Sequence, residues 1–427
     1  MPSQVRLSLR ARLPVVWLLL LLAAAILLPG RVWTTLLVGL GGLVVVAYVW
    51  ARQLARSVRG RRQLRFGWVA VGDRLSEQFE ITNDSWLPAF WVEVVDSANV
   101  PGYRAGVVRS VGSRQTEHWR QDAVCQRRGQ FQLGPWALHT GDPFGIFRVL
   151  ISYPVGDEII IHPPIHSQLP IPLPAGQSSG RTRTRERAWQ ATLNAASVRD
   201  YQPHDPYNRI HWPTTARRDQ LFVRQFDLDA AGDIWLVLDL AAAVQLGEGA
   251  QSTEEHAVLL AASLGAVAHQ QQRGVGLAGY GRQPLLLPPG RGQGQQWKLL
   301  HSLALVNADG QASLGRALED LSQVVRRGAA AIIITPNDDA GWLPALLHLS
   351  QRGIRCQVVL LDRVSFGGGG NPAGMQQLIR HAGFTCYLVR QGEIGHPLQE
   401  EVRRGFWEFK TTPLGKVVVV KRPDGRN

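Results

Sequence analysis

The sequence predicts a multidomain chain: a transmembrane helical hairpin, an all-β sandwich-like domain, and a doubly wound α/β domain. Three observations predict it. Two apolar runs separated only by a turn lie between residues 13 and 51, short alternating segments follow to about residue 165, and helix alternates with continuous apolar strand from residue 233 onward. A length of 427 residues accommodates several such units.

The first run covers residues 13–29 and the second residues 32–51, with Pro29, Gly30 and Arg31 between them. The first is near the short end of the ~17–25 residues that span a bilayer, and the second is comfortable. Three arginines (Arg6, Arg10, Arg12) precede the pair, six (Arg52, Arg56, Arg59, Arg61, Arg62, Arg65) follow it, and only Arg31 lies in the turn. By the positive-inside rule both flanks stay in the cytoplasm, so the expected location is the inner cell membrane, multi-pass, with the soluble domains on the cytoplasmic side. A cleaved signal peptide also opens with arginines before an apolar stretch. It would not be followed at once by a second apolar run.

Residues 66–165 read as the β-sandwich-like domain. The stretch Leu75-Ser76-Glu77-Gln78-Phe79-Glu80-Ile81 alternates, and Asn83-Asp84-Ser85 and Pro101-Gly102 mark turns. Late in this domain the sequences Arg128-Gly129-Gln130-Phe131 and Asp142-Pro143-Phe144-Gly145-Ile146-Phe147 read as turns, with Phe144 and Phe147 expected to plug the sandwich edge. Residues 166–198 form a Pro/Arg-rich linker, residues 199–230 a segment of unusual composition, residues 231–392 the α/β domain and residues 393–427 a tail. In the α/β domain, strand 234–239 is followed by a helix that Ser252 and Glu255 open as a capping box. Strands near 275–280, 329–335, 354–361 and 384–390 alternate with helices near 313–327, 343–351 and 372–382, which argues a mainly parallel sheet. Ligands of such sheets sit at the strands' carboxyl ends, where Asp239 and the turn Thr335-Pro336-Asn337-Asp338-Asp339 fall.

Composition excludes several classes. Cys125, Cys356 and Cys386 are far apart and lack ligand spacing, so no zinc site or disulfide framework is indicated. The net charge of +13 is concentrated in the first 65 residues, which hold ten arginines and no acid. That leaves 36 basic residues against 33 acidic beyond, too even a balance for a nucleic-acid surface. No nucleophile elbow, HExxH, Walker A or dinucleotide fingerprint is present.

The densest chemistry lies at 199–226, where Arg199, Tyr201, Asp205, Arg209, His211, Trp212, Arg217 and Arg224 crowd one short segment. One reading is a structural clasp, with Asp205 accepting from Arg209 or Arg217 and Trp212 packed beneath. A second makes the same groups a docking surface for an acidic segment or a nucleotide-bearing partner. A third is a hydrolase-like or metal-dependent enzyme using His204, Asp205 and His211 as acid and base. The clasp is preferred, since structural ion networks imitate functional sites.

The sequences Asp142-Pro143-Phe144-Gly145-Ile146-Phe147, Arg199-Asp200-Tyr201-Gln202-Pro203-His204-Asp205, Arg209-Ile210-His211-Trp212 and Ala216-Arg217 together resemble the family named domain of unknown function 58. The resemblance implies two N-terminal spans, a β domain and a C-terminal domain similar to von Willebrand factor type A. It further implies an adaptor or scaffold, without catalysis or cofactor, acting beside a MoxR-type AAA+ ATPase in a chaperone-like or envelope-related system. Type A domains often hold Mg²⁺ through Asp-x-Ser-x-Ser, a threonine and a further aspartate. Here Asp239-Leu240-Ala241-Ala242-Ala243 lacks both hydroxyls, so Asp239 with Asp338 is expected to be a degenerate metal site.

Overall fold

In the computed structural model the described residues are 4–28, 30–65, 69–166, 169–174, 195–202, 207, 210–218, 220–226, 232–394, 408–411 and 417–421. The chain opens with a strand, β1 (Gln4–Leu9), then two apolar helices, α1 (Leu13–Leu27) and α2 (Arg31–Ser57). Pro14 in the first turn of α1 suits a helix start, because its missing N–H has no partner to lose there. The α2 helix is long and apolar enough to cross a membrane, and α1 is a shorter apolar helix. Most of the helix pair is exposed; burial begins at Ala47, Ala51 and Leu54, where α2 meets the β unit.

That β unit draws its strands from both sides of the helix pair. After α2 come β2 (Val58–Arg65), β3 (Val69–Ala70), β4 (Arg74–Asn83), β5 (Ala89–Asp96), β6 (Val107–Val111) and β7 (Gln115–Val124). They are followed by β8 (Gly129–Leu133), β9 (Trp136–Gly141), β10 (Phe147–Tyr153) and β11 (Asp157–His162). The sheets run β1-β10-β9-β5-β6, β2-β4-β7 and β3-β11-β8 around one core that includes Phe79, Val92, Leu138, Val149 and Ile161. Residues 4–9 and 58–65, read from sequence as membrane flank, are therefore sheet strands. Arg62, one of the flank arginines, is inside: it pairs with Glu77 and Asp96, each at 2.9 Å, and all three side chains are at most 5% exposed. Tyr103 donates its hydroxyl to Glu77 in the same cluster. The alternation of β4 is what delivers Glu77 to this interior, and Arg62 offsets the desolvation of the carboxylate there.

The start of the linker is also ordered. Ile171 is 4% exposed in the core of the α/β unit, with Leu169 and Leu173 packed against it. Gln357 and Arg273 donate to the carbonyls of Pro172 (3.1 Å) and Pro174 (2.7 Å). The prolines leave carbonyls free to accept, and the alternate leucine and isoleucine side chains supply the anchor. Arg181, Arg183, Arg185 and Arg187 lie outside the described residues.

Next come β12 (Ala195–Asp200), the short helix α3 (Trp212–Arg218) and β13 (Phe222–Phe226), with β12 and β13 antiparallel. The α/β unit begins at β14 (Ile234–Leu238) and proceeds through α4 (Thr253–Gln270), β15 (Val275–Tyr280), β16 (Pro284–Gly290), α5 (Gln293–Leu305) and α6 (Leu314–Val324). It continues with β17 (Ala330–Thr335), α7 (Leu343–Gln351), β18 (Arg355–Leu361), α8 (Pro372–His381) and β19 (Thr385–Val389). The sheet order is β16-β15-β14-β17-β18-β19, parallel except for β16. Side-chain alternation on β14 makes the sandwich: Ile234, Leu236 and Leu238 face the layer of α4 and α5, while Trp235 and Val237 face α6, α7 and α8. The edge place of β16 explains how Pro288 and Pro289 are tolerated, since an edge strand need not donate on its outer side. Within the region read as tail, β20 (Glu408–Thr411) and β21 (Val417–Lys421) pair as a hairpin.

The two units meet at Arg128, in the connection before β8. Its side chain is 3% exposed and pairs with Glu254 at 2.7 Å and with Glu255. It also donates to the carbonyls of Leu303 (2.9 Å) and Val306 (2.8 Å). One guanidinium thus serves the acidic first turn of α4 and the carbonyl-rich end of α5, a site where the helix dipole favours a cation. The expected capping box is only half made. Ser252 Oγ accepts from the N–H of Glu255, but the Glu255 side chain is spent on Arg128. Burial raises the Glu255 pKa and Arg128 opposes the rise.

Candidate functional site

Two places combine exposed or polar chemistry with a defined scaffold. The first is the carboxyl end of the parallel sheet. In its order β14 and β17 are neighbours whose onward connections run to opposite sides, which makes the crevice beyond them the topological switch point. Asp239 follows β14 and is 3% exposed; its Oδ2 accepts the hydroxyl of Thr335 at 2.7 Å and its Oδ1 accepts the N–H of Ala241 at 3.2 Å. Burial raises the Asp239 pKa, opposed by those two hydrogen bonds. Thr335 Oγ1 in turn accepts from the N–H of Asn337 at 2.9 Å, so the hydroxyl ties the two strand ends together.

Asp338 is turned to other partners. Its Oδ1 faces Arg363 at 3.6 Å and its Oδ2 accepts the N–H of Asn371 at 3.0 Å. Asp362, which follows β18, faces Arg390 at 3.6 Å. Among the described residues no group of three or more His, Cys, Asp or Glu side chains is placed to hold a metal ion. The donor set does not fit an octahedral hard-cation site: Ala241 and Ala243 bring no side-chain oxygen, and the cation opposite Asp338 is a guanidinium. Arg363 was not singled out from the sequence. It lies 25 positions beyond Asp338 and joins it only through the crossover of α7 and β18.

The second place is the 199–226 segment. Arg199 and Arg224 are on β12 and β13, opposite Val223 and Val198 respectively. The Tyr201 N–H donates to the carbonyl of Leu221 at 2.8 Å, and the Tyr201 ring stacks on Tyr207 with centroids 5.9 Å apart. His211 donates its N–H to the Phe222 carbonyl (2.7 Å), and its Nδ1 bonds Thr214 Oγ1 (2.7 Å). Thr215 Oγ1 accepts from the Phe222 N–H at 3.1 Å. These bonds fix α3 against β13, with Ile210, Phe222 and Val223 buried.

The outward side carries the aromatic and basic groups. Tyr207 is 72% and Trp212 64% exposed, Leu221, Arg217 and Arg218 are exposed, and Arg218 reaches over the Phe222 ring. The expectation that Trp212 packs beneath the segment is therefore corrected: it opens α3 on the solvent side, and Ile210 is the residue that goes inward. His204, Asp205, Arg209 and Asp219 lie outside the described residues, so the expected Asp205 pairing does too. The structure brings together Tyr201, His211, Trp212 and Arg217 around one hairpin. Asp239 and Asp338 belong to the other site.

Residues 197–364 match the family described as protein of unknown function DUF58. The chain is 24% identical over 308 residues to the uncharacterised protein YeaD of Bacillus subtilis, covering 70% of this chain and 74% of that one. An uncharacterised protein of Mycobacterium tuberculosis, Rv1480, is 29% identical over 169 residues, 38% of this chain and 53% of its own length. Among solved structures, a von Willebrand factor type A protein from Catenulispora acidiphila aligns with 40% of this chain and 42% of its own, at 10% identity and a TM-score of 0.26.

Proposed function

We propose that this chain, whose residues 197–364 belong to the DUF58 family, is a membrane-anchored, cytoplasm-facing adaptor that docks a protein partner through its 199–226 hairpin and turns over no substrate. The observation that carries the docking role is the outward set Tyr207, Trp212, Leu221, Arg217 and Arg218 on a small scaffold held by its own hydrogen bonds. Tyr, Trp and Arg are the side chains that dominate binding energy at protein interfaces. A clasp has less support from this geometry, because its central indole faces water.

Anchoring is supported by the exposed apolar surface of α1 and α2, including Leu13, Trp17, Ile26, Val32 and Val38. The strand before α1 and the strand after α2 belong to the same β unit, which supports a reading with both ends of the helix pair on one side of the membrane. Arg10, Arg12, Arg52 and Arg56 at those ends, against Arg31 alone at the turn, favour the cytoplasmic side. The type A-like sheet is the platform, with Arg363 in the place where a cation would face Asp338. A MoxR-type AAA+ ATPase is the proposed partner on family resemblance alone. The hydrolase-like alternative draws less support, since His211 spends Nδ1 on Thr214 inside its own turn.

The test is affinity capture of the full chain from detergent-solubilised native membranes, with and without Trp212→Ala. Recovery of an AAA+ ATPase that weakens in the variant supports the adaptor. Equal recovery with both chains removes Trp212 from the docking surface, and recovery of no ATPase removes the named partner.

A further inference from the structure

The turn at 142–147 is built more firmly than a surface turn needs. Asp142 is fully buried, and its carboxylate accepts the N–H groups of Phe144 (2.9 Å), Ile146 (3.2 Å) and Phe147 (2.5 Å). Gly145 supplies the positive φ, +71°, that closes the turn. The Ile146 carbonyl then accepts from Arg10 (2.7 Å) and Ala11 (3.2 Å), immediately before α1 begins. Phe147 meets Tyr48 of α2 edge to face, with ring centroids 5.6 Å apart. With its backbone N–H fixed by Asp142, the Phe144 side chain is held outward and is 52% exposed. The expectation that Phe144 plugs the sandwich edge is thereby corrected.

A second connection, residues 84–88 between β4 and β5, also meets α2. The Asp84 N–H donates to the carbonyl of Ser57 at the end of α2, while Trp50 donates its indole N–H to Pro88 and stacks on Phe90 (5.7 Å). Trp50 lies two helical turns before Ser57, roughly 10 Å nearer the apolar stretch along the axis. The connection therefore runs along α2 toward that stretch, with Trp86 (63%) exposed on it and Phe90 (55%) exposed at the start of β5. The turn and the connection bracket the level at which α1 starts and α2 leaves its exposed apolar length. Arg10, Arg12 and Arg52 are exposed at that level, and Arg52 bonds the Tyr48 hydroxyl at 2.9 Å.

We infer that Phe90 and Phe144, with Trp86, are seated in the headgroup zone of the lipid bilayer, so that the β unit rests on the membrane instead of hanging from a flexible tether. The inference rests on the membrane-anchored reading. The amphipathic ring of Trp86 suits this depth, exposed Phe side chains bury apolar area at the boundary of headgroup and acyl chain, and arginines beside them pair with anionic headgroups. Continuity with the exposed helix pair identifies the occupant as lipid. The burial of Ala47, Ala51 and Leu54 against the β unit makes the arrangement rigid. The buried Asp142 then has a purpose: it positions Phe144 relative to the start of α1.

The experiment places an environment-sensitive fluorescent amino acid at Phe144 or Phe90 of the full chain, in vesicles of phosphatidylcholine and phosphatidylglycerol. Quenching by lipids brominated near the headgroup is compared with quenching by lipids brominated near the chain ends. Val38, 73% exposed in α2, is the deep control, and Leu347, 41% exposed on α7, is the aqueous one. The expected result is a blue shift at 144 and 90, a greater loss of intensity with the shallow bromines, the reverse preference at 38, and no loss at 347. No loss at 144 and 90 with quenching retained at 38 overturns the seating and leaves the anchor standing. No loss at 38 overturns the anchor, and the seating with it.

Discussion

Arg128 and the 199–226 hairpin both concentrate arginine beside complementary chemistry, and they are built in opposite senses. At Arg128 one buried guanidinium is surrounded by two carboxylates and two helix-end carbonyls drawn from the other unit. Among the described residues of the hairpin, the bonds of His211, Thr214, Thr215 and Phe222 are internal, and Trp212, Arg217 and Arg218 are exposed. A closed ion-pair clasp is seen at a single arginine in a short β-unit connection, while the Asp205 pairing expected at the hairpin lies outside the described residues. Density of charged side chains along a chain does not distinguish a closed junction from an open surface; the burial of each group does.

The largest expected effect is therefore at the junction. Arg128→Ala leaves Glu254 and Glu255 without the guanidinium that pairs with both, and should cost about 3 kcal/mol in a denaturant titration of the detergent-solubilised chain. It should also split one unfolding transition into two as the units uncouple. Arg128→Lys, which keeps the charge but loses the planar fork, should recover only part of the loss. Wild-type stability in Arg128→Ala would show that the junction is a contact without energetic weight.

Acid should act on the same junction next. His162 ends β11 beside His301 of α5, with ring centroids 6.4 Å apart. Burial pulls its pKa from 6.5 down to about 4; the Val69 carbonyl opposes this, and His301 adds to it. The folded value is lower than the unfolded one, so the unfolded chain binds the extra proton. His162 therefore contributes its full share of stability above about pH 6.5, and that share is lost as pH falls from there toward about 4. Denaturation midpoints measured across that window should slope downward with acid, and His162→Gln should flatten the slope.

At the sheet end the sign reverses. Burial raises the pKa of Asp239, so ionising it in the folded state is a cost that grows as pH rises above the unfolded value. Asp239→Asn can keep a bond to the Ala241 N–H and to Thr335, and should leave the chain as stable or more stable at neutral pH. The wild-type chain should show no saturable thermal shift with millimolar Mg²⁺ or Mn²⁺. A shift that Asp239→Asn abolishes would restore a cation site there.

Much of the α/β unit was legible because its strands are continuous apolar runs with caps between them. Strand 275–280 and the Ser252 cap are where the sequence places them. Helix α5 and strand β16 were not foreseen. Pro288 and Pro289 argue against a strand until its edge position is known, and the α5 repeat of Leu299, Leu300 and Leu303 follows two glycines. Strands β1 and β2 were hidden for another reason: beside apolar helices, an arginine-rich strand reads as membrane flank, and only the partner strands β10 and β4 reveal it. The partners of Arg128 could not be read at all. Glu254 lies more than a hundred positions away, and nothing local announces the contact.

The smallest effect on stability and the largest on function are expected at Trp212. Its removal should change stability by less than about 0.5 kcal/mol, as for other exposed side chains. Partner affinity should fall by roughly tenfold or more, as for an interface anchor. The most direct measurement is photo-crosslinking in native membranes, with the reactive amino acid placed at 212 in one chain and at 339, beside the sheet-end site, in another. A protein adduct formed from position 212 and absent from position 339 is the predicted result. An adduct from position 339 alone would contradict it, and would move the docking surface from the hairpin to the carboxyl ends of the strands.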